Sequence, residues 1–233
     1  MTLRDIATEL TSTLGLDSPP IAVALADSRP PGLPAFEEVV PSACTFWRRA
    51  ETGAFYATAA QHYRCPIGAM VMGFDLPGEV QTELMSLVGF MGGQGYVGAG
   101  EPALIPTLPG KAAGVVYGPL RDFPLEPDFV LIWVTPRQAM IMTEAAGTCH
   151  WTLADPPALR GRPACAAIPL AGSRGAATLS LGCVGMRTFT EVADDRMLAV
   201  IPAGAVGTLQ RALAGTVQAN RTMAGFYERR KAS

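Results

Sequence analysis

Charge is scarce in this chain. Only 16% of its 233 residues are Asp, Glu, Lys or Arg, against about 25% in an average soluble protein. Neither sign dominates, because the formal net charge is −2, so electrostatics give no case for nucleic acid or an anionic membrane as partner. Histidine is scarcer still, with His62 and His150 alone. The longest apolar run, about Phe129 to Val134, falls far short of the ~20 residues that cross a bilayer. There is no Walker motif, no Gly-x-Ser-x-Gly elbow and no His-Glu-x-x-His, which removes the sequence case for a P-loop nucleotidase, an α/β-hydrolase or a zincin. None of the five cysteines has another within three residues, whereas a zinc ribbon needs close thiol pairs.

What is present is apolar. Hydrophobic residues make up 49% of the chain, enough for a large core, and so thinly charged a surface suits buried homo-oligomer contacts. Met1 to Gly15 carries Arg4, Asp5 and Glu9 and has no apolar h-region, so a soluble, cytoplasmic protein is expected. In that compartment Cys44, Cys65, Cys149, Cys165 and Cys183 read as metal ligands or reactive thiols rather than disulfides.

Periodicity gives the elements. Thr2 with Asp5 forms a capping-box variant before a helix bearing Leu3, Ile6, Ala7, Leu10 and Leu14, with Gly15 as its stop. Strands are predicted at 21–26, 54–59, 112–117, 129–134, 164–168, 176–181 and 197–201. Phe129 to Val134, apolar on both faces, is expected at the centre. Helices are predicted from Ser42 as N-cap to Gly53, from Pro66 to near Gly73, from Gly78 to Met91 and from Pro136 to Ala146. The last, at 205–230, has Val206, Leu209, Leu213, Val217 and Met223 on its buried side. The alternation favours an α/β (or α+β) single domain over 1–233, built around a mixed sheet. Cys44 to Cys65 and Cys165 to Cys183 are similar intervals, each with an apolar strand before its second cysteine. Two pseudo-symmetric halves, 16–100 and 110–230, would bring four thiols to one seam.

Cys65 precedes Pro66, which is at home in the first helical position, so Cys65 becomes an N-cap facing unpaired N–H groups. His62 and Arg64 add polar and positive character beside it. Cys183 is flanked by Gly182 and Gly185, with Arg187 placed to hold an anion. Cys44 and Cys165 gain weight as members of the set. Cys149 and His150 would point opposite ways in a strand, and Cys149 reads as a spare thiol or as a residue that supports the ligands from behind. Four thiolates from four separate segments suit an iron–sulfur cluster held by Cys44, Cys65, Cys165 and Cys183. Zinc, haem or another soft-metal or tetrapyrrole ligand, or no metal at all with Cys65 as nucleophile, are the alternatives. Partners would be a small ligand, with Arg64, Arg187 and His62 near it, or a redox protein. Gly93-Gln94-Gly95-Tyr96-Val97-Gly98 matches the dinucleotide fingerprint in letters but follows a helix. Gly92 to Gly100 instead reads as a lid. Met70-Val71-Met72 and Met140-Ile141-Met142 are read as core filler rather than thioether ligands.

Cys44 with Trp47 and Ala50-x-x-Gly53, then His62-x-x-Cys65-Pro66-x-Gly68, then the proline-flanked Cys165, then Leu181-Gly182-Cys183-x-Gly185-x-Arg187 together resemble the domain-of-unknown-function 169 family of archaea and bacteria. The resemblance runs from about Leu16 to Leu213. It implies a single compact domain and directs attention to the cysteine blocks. It supplies no cofactor, substrate or reaction.

Overall fold

A computed structural model describes residues 2–110, 112–147 and 158–231. The helices are α1 (Leu3–Leu14), α2 (Thr45–Arg49), α3 (Ala59–His62), α4 (Pro66–Val71), α5 (Gly78–Gly93), α6 (Pro136–Ala145), α7 (Ala167–Arg174), α8 (Val184–Thr190) and α9 (Ala203–Lys231). The strands are β1 (Ile21–Ala26), β2 (Phe55–Thr58), β3 (Gly114–Pro119), β4 (Phe129–Val134), β5 (Ala158–Arg160), β6 (Thr178–Ser180) and β7 (Met197–Pro202). They form one mixed sheet in the order β2-β3-β1-β4-β7-β6-β5, antiparallel except for β5 with β6. The expected α/β class and single domain follow.

Side-chain alternation divides the interior into two cores, one on each face of the sheet. Ile21 and Val23 of β1 and Phe129, Leu131 and Trp133 of β4 join the face that carries α2 and α7. Ala22, Ala24, Val130, Ile132 and Val134 join the face that carries α1, α6 and α9. Every residue of β4 is buried, as a strand covered on both sides requires. Each large side chain in it contributes roughly 1.5–3 kcal/mol of burial. Thr2 and Asp5 form the reciprocal capping box at the start of α1, and Gly15 closes it in the left-handed region.

The topology is twofold in its logic. β1 and β4 lie antiparallel at the centre, and β3 and β7 pair antiparallel with them on their outer sides. β2 and β6 pair antiparallel with β3 and β7 in turn. The correspondence extends to the edges: β5 pairs parallel with β6, and Ala35 makes a parallel bridge to Tyr56 in β2. In each half one cysteine precedes the outer strand and one follows it: Cys44 and Cys65 around β2, Cys165 and Cys183 around β6. The division therefore falls between β3 and β4 rather than at 100–110, because β3 is hydrogen-bonded to both β1 and β2. Each half carries a helix that the other lacks: the second has α6 between β4 and β5, where the first passes from β1 to Ala35 without one. Between α4 and β3 the first half inserts α5 and the loop after it, whereas α8 leads directly to β7.

Several local expectations change. The predicted helix from Ser42 to Gly53 is confined to α2, because Ser42 directs its hydroxyl to a cysteine rather than to a helix N–H. The predicted strand at 164–168 is a 3-10 turn (Ala164–Ala166) running into α7. Pro169 lies in the first turn there, where its missing N–H is no loss. Short apolar runs carry no periodicity that separates helix from strand. Met223, expected on the buried side of α9, is exposed, because that helix outruns the domain after Val217. Cys149 and His150 lie outside the described residues. No helix among the described residues is long and apolar enough to cross a membrane.

Candidate functional site

All four cysteines of the predicted set sit where a helix begins. Cys44 is the N-cap of α2, Cys65 of α4 and Cys183 of α8, and Cys165 lies in the 3-10 turn that opens α7. The helices cross between halves: α2 packs on α8, and α4 packs on the turn of Cys165. The four thiols line one cavity of about 450 Å3, within the size range of small-molecule sites. All four are free thiols.

Local chemistry fixes each sulfur. The Ser42 hydroxyl lies 2.9 Å from Cys44 Sγ and donates toward Cys65 Sγ at 3.8 Å, so the two sulfurs stand no further apart than two such contacts. Gly68, the glycine of Cys-Pro-x-Gly, lets α4 come this close: a Cβ there would stand 2.8 Å from Ala43 Cβ and 3.0 Å from Cys65 Sγ. Gly182 has φ 85°, and a Cβ on it would lie 2.5 Å from the terminal methyl of Met186. Glycine is the residue for that turn, which delivers Cys183 to the start of α8. Cys183 Sγ accepts the Met186 N–H at 3.4 Å. Cys65 caps no N–H with its sulfur, which leaves that sulfur available to a ligand.

Burial pushes the Cys44 thiol up to about 12, the Ser42 hydrogen bond opposes this, and negative charge on Cys65 and Cys183 adds to it. Burial also raises the Cys165 thiol well above its ordinary value, reinforced by charge on Cys65, Cys44 and Cys183. The Tyr117 hydroxyl is raised by burial and then by the Cys165 and Cys44 charges. The thiols thus lie within electrostatic reach of one another. In the absence of a cation Cys44 and Cys165 stay protonated. Among the described residues no group of three or more His, Cys, Asp and Glu side chains could hold a metal ion as it stands.

The other predicted residues separate. Arg64 is exposed at the cavity rim, with no hydrogen bond or ion pair to another described residue. Arg187 does not line the cavity. Its guanidinium donates to the carbonyls of Leu181 (2.7 Å), Arg196 (3.0 Å) and Ala193 (3.3 Å), so it fastens the turns on either side of α8 rather than an external anion. His62 is buried among Phe46, Phe74 and Tyr117. Its Nδ1–H donates to Thr58 O at 2.7 Å and its Nε2 accepts from the Tyr117 hydroxyl at 3.0 Å. Both ring nitrogens are committed, and burial lowers its pKa to about 4; it is a neutral structural residue. Of the methionines read as core filler, Met72 and Met142 are buried, Met70 is half-buried and Met140 is exposed on the outer side of α6.

Sequence reasoning missed Ser42 as a thiol partner, although it stands two residues before Cys44. It also missed Arg162, whose guanidinium lies 4.4 Å from the centre of the Tyr96 ring at the cavity. The insertion supplies one wall through Glu83, Leu87 and Met91 of α5 and Tyr96, Val97 and Glu101 beyond it. The loop expected to act as a lid therefore does border the site. Its Gly-x-Gly-x-x-Gly letters follow α5 with no strand before them, so the dinucleotide context is missing.

The fold and the site define a class: an α/β protein whose two halves each contribute two helix-start cysteines to one cavity. The chain belongs to the domain-of-unknown-function 169 family, described as uncharacterised ArCR, whose model matches residues 9–211. No curated protein and no solved structure matches it.

Two outcomes follow. On the metal-free protein, iodoacetamide should label Cys65 and Cys183 before Cys44 and Cys165 when sites are mapped by peptide mass; early labelling of Cys44 would contradict the burial described. His62 is neutral when folded and ionises near its ordinary 6.5 when unfolded. The unfolded state therefore binds more protons below that pH, and the contribution is complete above about 6.5 and lost toward pH 4. The urea midpoint should fall from pH 7 to pH 5, and fall less in His62→Gln. Equal falls would assign the pH dependence elsewhere.

Proposed function

We propose that the cavity holds an iron–sulfur cluster through Cys44, Cys65, Cys165 and Cys183, used for electron transfer or to bind a small anionic or thiol-reactive ligand. The observation that carries this reading is the convergence of four thiols from four helix starts on one cavity. Two of the thiols are held protonated by burial and by their neighbours' charge, and a cationic centre reverses both effects. The donor set fits such a group in chemistry, since clusters commonly take four cysteine thiolates. A single tetrahedral zinc requires sulfurs only ~4 Å apart, and no described group is gathered to hold one ion, which favours a larger guest over zinc. When bound, the cluster would supply one-electron redox chemistry or an iron site for a ligand.

The chain's own residues have separate tasks. The helix starts place the four sulfurs on the cavity. Ser42 orients Cys44 and Cys65. Arg64 is free to meet an anion at the rim, and Arg162 takes the place expected of Arg187. Apolar side chains of α5 and the following loop limit water on one side. A redox protein or a small molecule is the implied partner, and the reducing cytoplasm is the implied compartment.

A second reading rests on Cys65 alone: a sulfur at a helix start that makes no cap bond, next to Arg64, suits a nucleophile in a metal-free thiol enzyme. Anaerobic reconstitution separates the two. The cluster reading predicts a broad violet-to-blue shoulder with stoichiometric iron and sulfide. Cys65→Ser and Cys183→Ser should each lose most of both while keeping the far-ultraviolet circular dichroism of the parent. Iron and sulfide retained in both variants would overturn it. A blank spectrum with one fast-reacting thiol would select the second reading.

A further inference from the structure

Two helices of this chain expose apolar side chains that their own domain does not cover. α5 has sixteen residues and none is buried, although most helices in proteins owe their stability to a packed face. Its inner side (Val80, Leu84, Val88, Met91) is half-covered, whereas Met85 and Phe90 are 69% and 66% exposed. α9 is anchored by Val206, Leu209, Leu213 and Val217 and then continues to Lys231 with no further buried residue. Met223, Phe226 and Tyr227 on that extension are 47%, 41% and 57% exposed. At 3.6 residues per turn the anchoring stripe continues through Ala224; Tyr227 falls at its edge, in line with Leu209, while Met223 lies at about a right angle to it and Phe226 on roughly the opposite side. Running past the edge of its own domain, the extension therefore leaves an apolar arc of about 100° uncovered.

The charges are complementary. From Cys65 to Gly110 the chain has no Lys or Arg and four acids, Asp75, Glu79, Glu83 and Glu101. The α9 extension carries Arg221, Arg229, Arg230 and Lys231 against Glu228 alone. The acids of α5 lie near its N-terminal end and the bases of α9 mostly at its C-terminal end, so antiparallel pairing aligns opposite side-chain charges and opposite helix dipoles. The two helices cannot readily meet within one molecule. α9 packs with α1, α6, β4 and β7 on one face of the sheet, while α5 packs on α4 on the cysteine face.

We propose that the partner is a second copy of this chain: the α9 extension of each protomer lies antiparallel on α5 of the other, in a reciprocal twofold dimer. Since α5 forms a wall of the thiol cavity, the contact would also steady that wall, though dimerisation does not depend on what the cavity binds.

Light scattering after gel filtration, across a concentration series at low salt, tests this on the full chain. The parent should be a dimer weakened by added salt. Glu79→Lys/Glu83→Lys and Arg230→Glu/Lys231→Glu should each weaken self-association by about tenfold or more, with unchanged circular dichroism. Mixing the two variants should restore dimers, because each variant's helices then face opposite charge in the other. A monomeric parent, dimers persisting in both variants, or a mixture that stays dissociated would each overturn the proposal.

Discussion

The pairing of β1 with β4 is the constraint from which the rest of the molecule follows. Ile21, Ala22 and Val23 lie opposite Leu131, Val130 and Phe129, and a slip of one residue would send every side chain to the wrong core. Because the strands are antiparallel and adjacent, the two halves are related across this seam. Each half then extends outward by hairpin-like pairing to an outer strand, β2 or β6, flanked by two cysteines. The seam itself contains no cysteine, yet it determines that the four meet.

The thiol cavity has an electrostatic character that follows from this arrangement. Helix starts offer partial positive charge, but helices as short as α2, α4 and α8 offer little of it, and the surrounding core is apolar. Cys44 and Cys165 are therefore held as neutral thiols, first by burial and then by charge on the neighbouring sulfurs. A site of this kind is poorly suited to remaining empty as a set of thiolates. It is suited to a guest that brings positive charge to several sulfurs at once. Arginine contributes at the rim only, through Arg64 and Arg162.

Much of this was legible in the sequence, for identifiable reasons. The box of Thr2 and Asp5, the all-apolar Phe129–Val134 and the Cys65-Pro66 helix start are local signals, and they appear as read. The family resemblance rested on the cysteine blocks and agrees with the family match. The short segment around Cys165 was misread because five small apolar residues suit strand and helix equally. His62 and Arg187 looked functional by proximity in sequence; only tertiary structure reveals that Tyr117 and the carbonyls of Leu181, Ala193 and Arg196 occupy them. The role of α5 as a cavity wall was hidden for the same reason, since its apolar spacing is that of an ordinary core helix.

Native mass spectrometry of the anaerobically reconstituted protein tests the shared-centre account most directly. The account predicts one discrete mass increment per chain, equal to a single iron–sulfur cluster and absent when Cys44 and Cys165 are both serine. A chain of bare mass, or an increment that survives the loss of those two thiols, would contradict it.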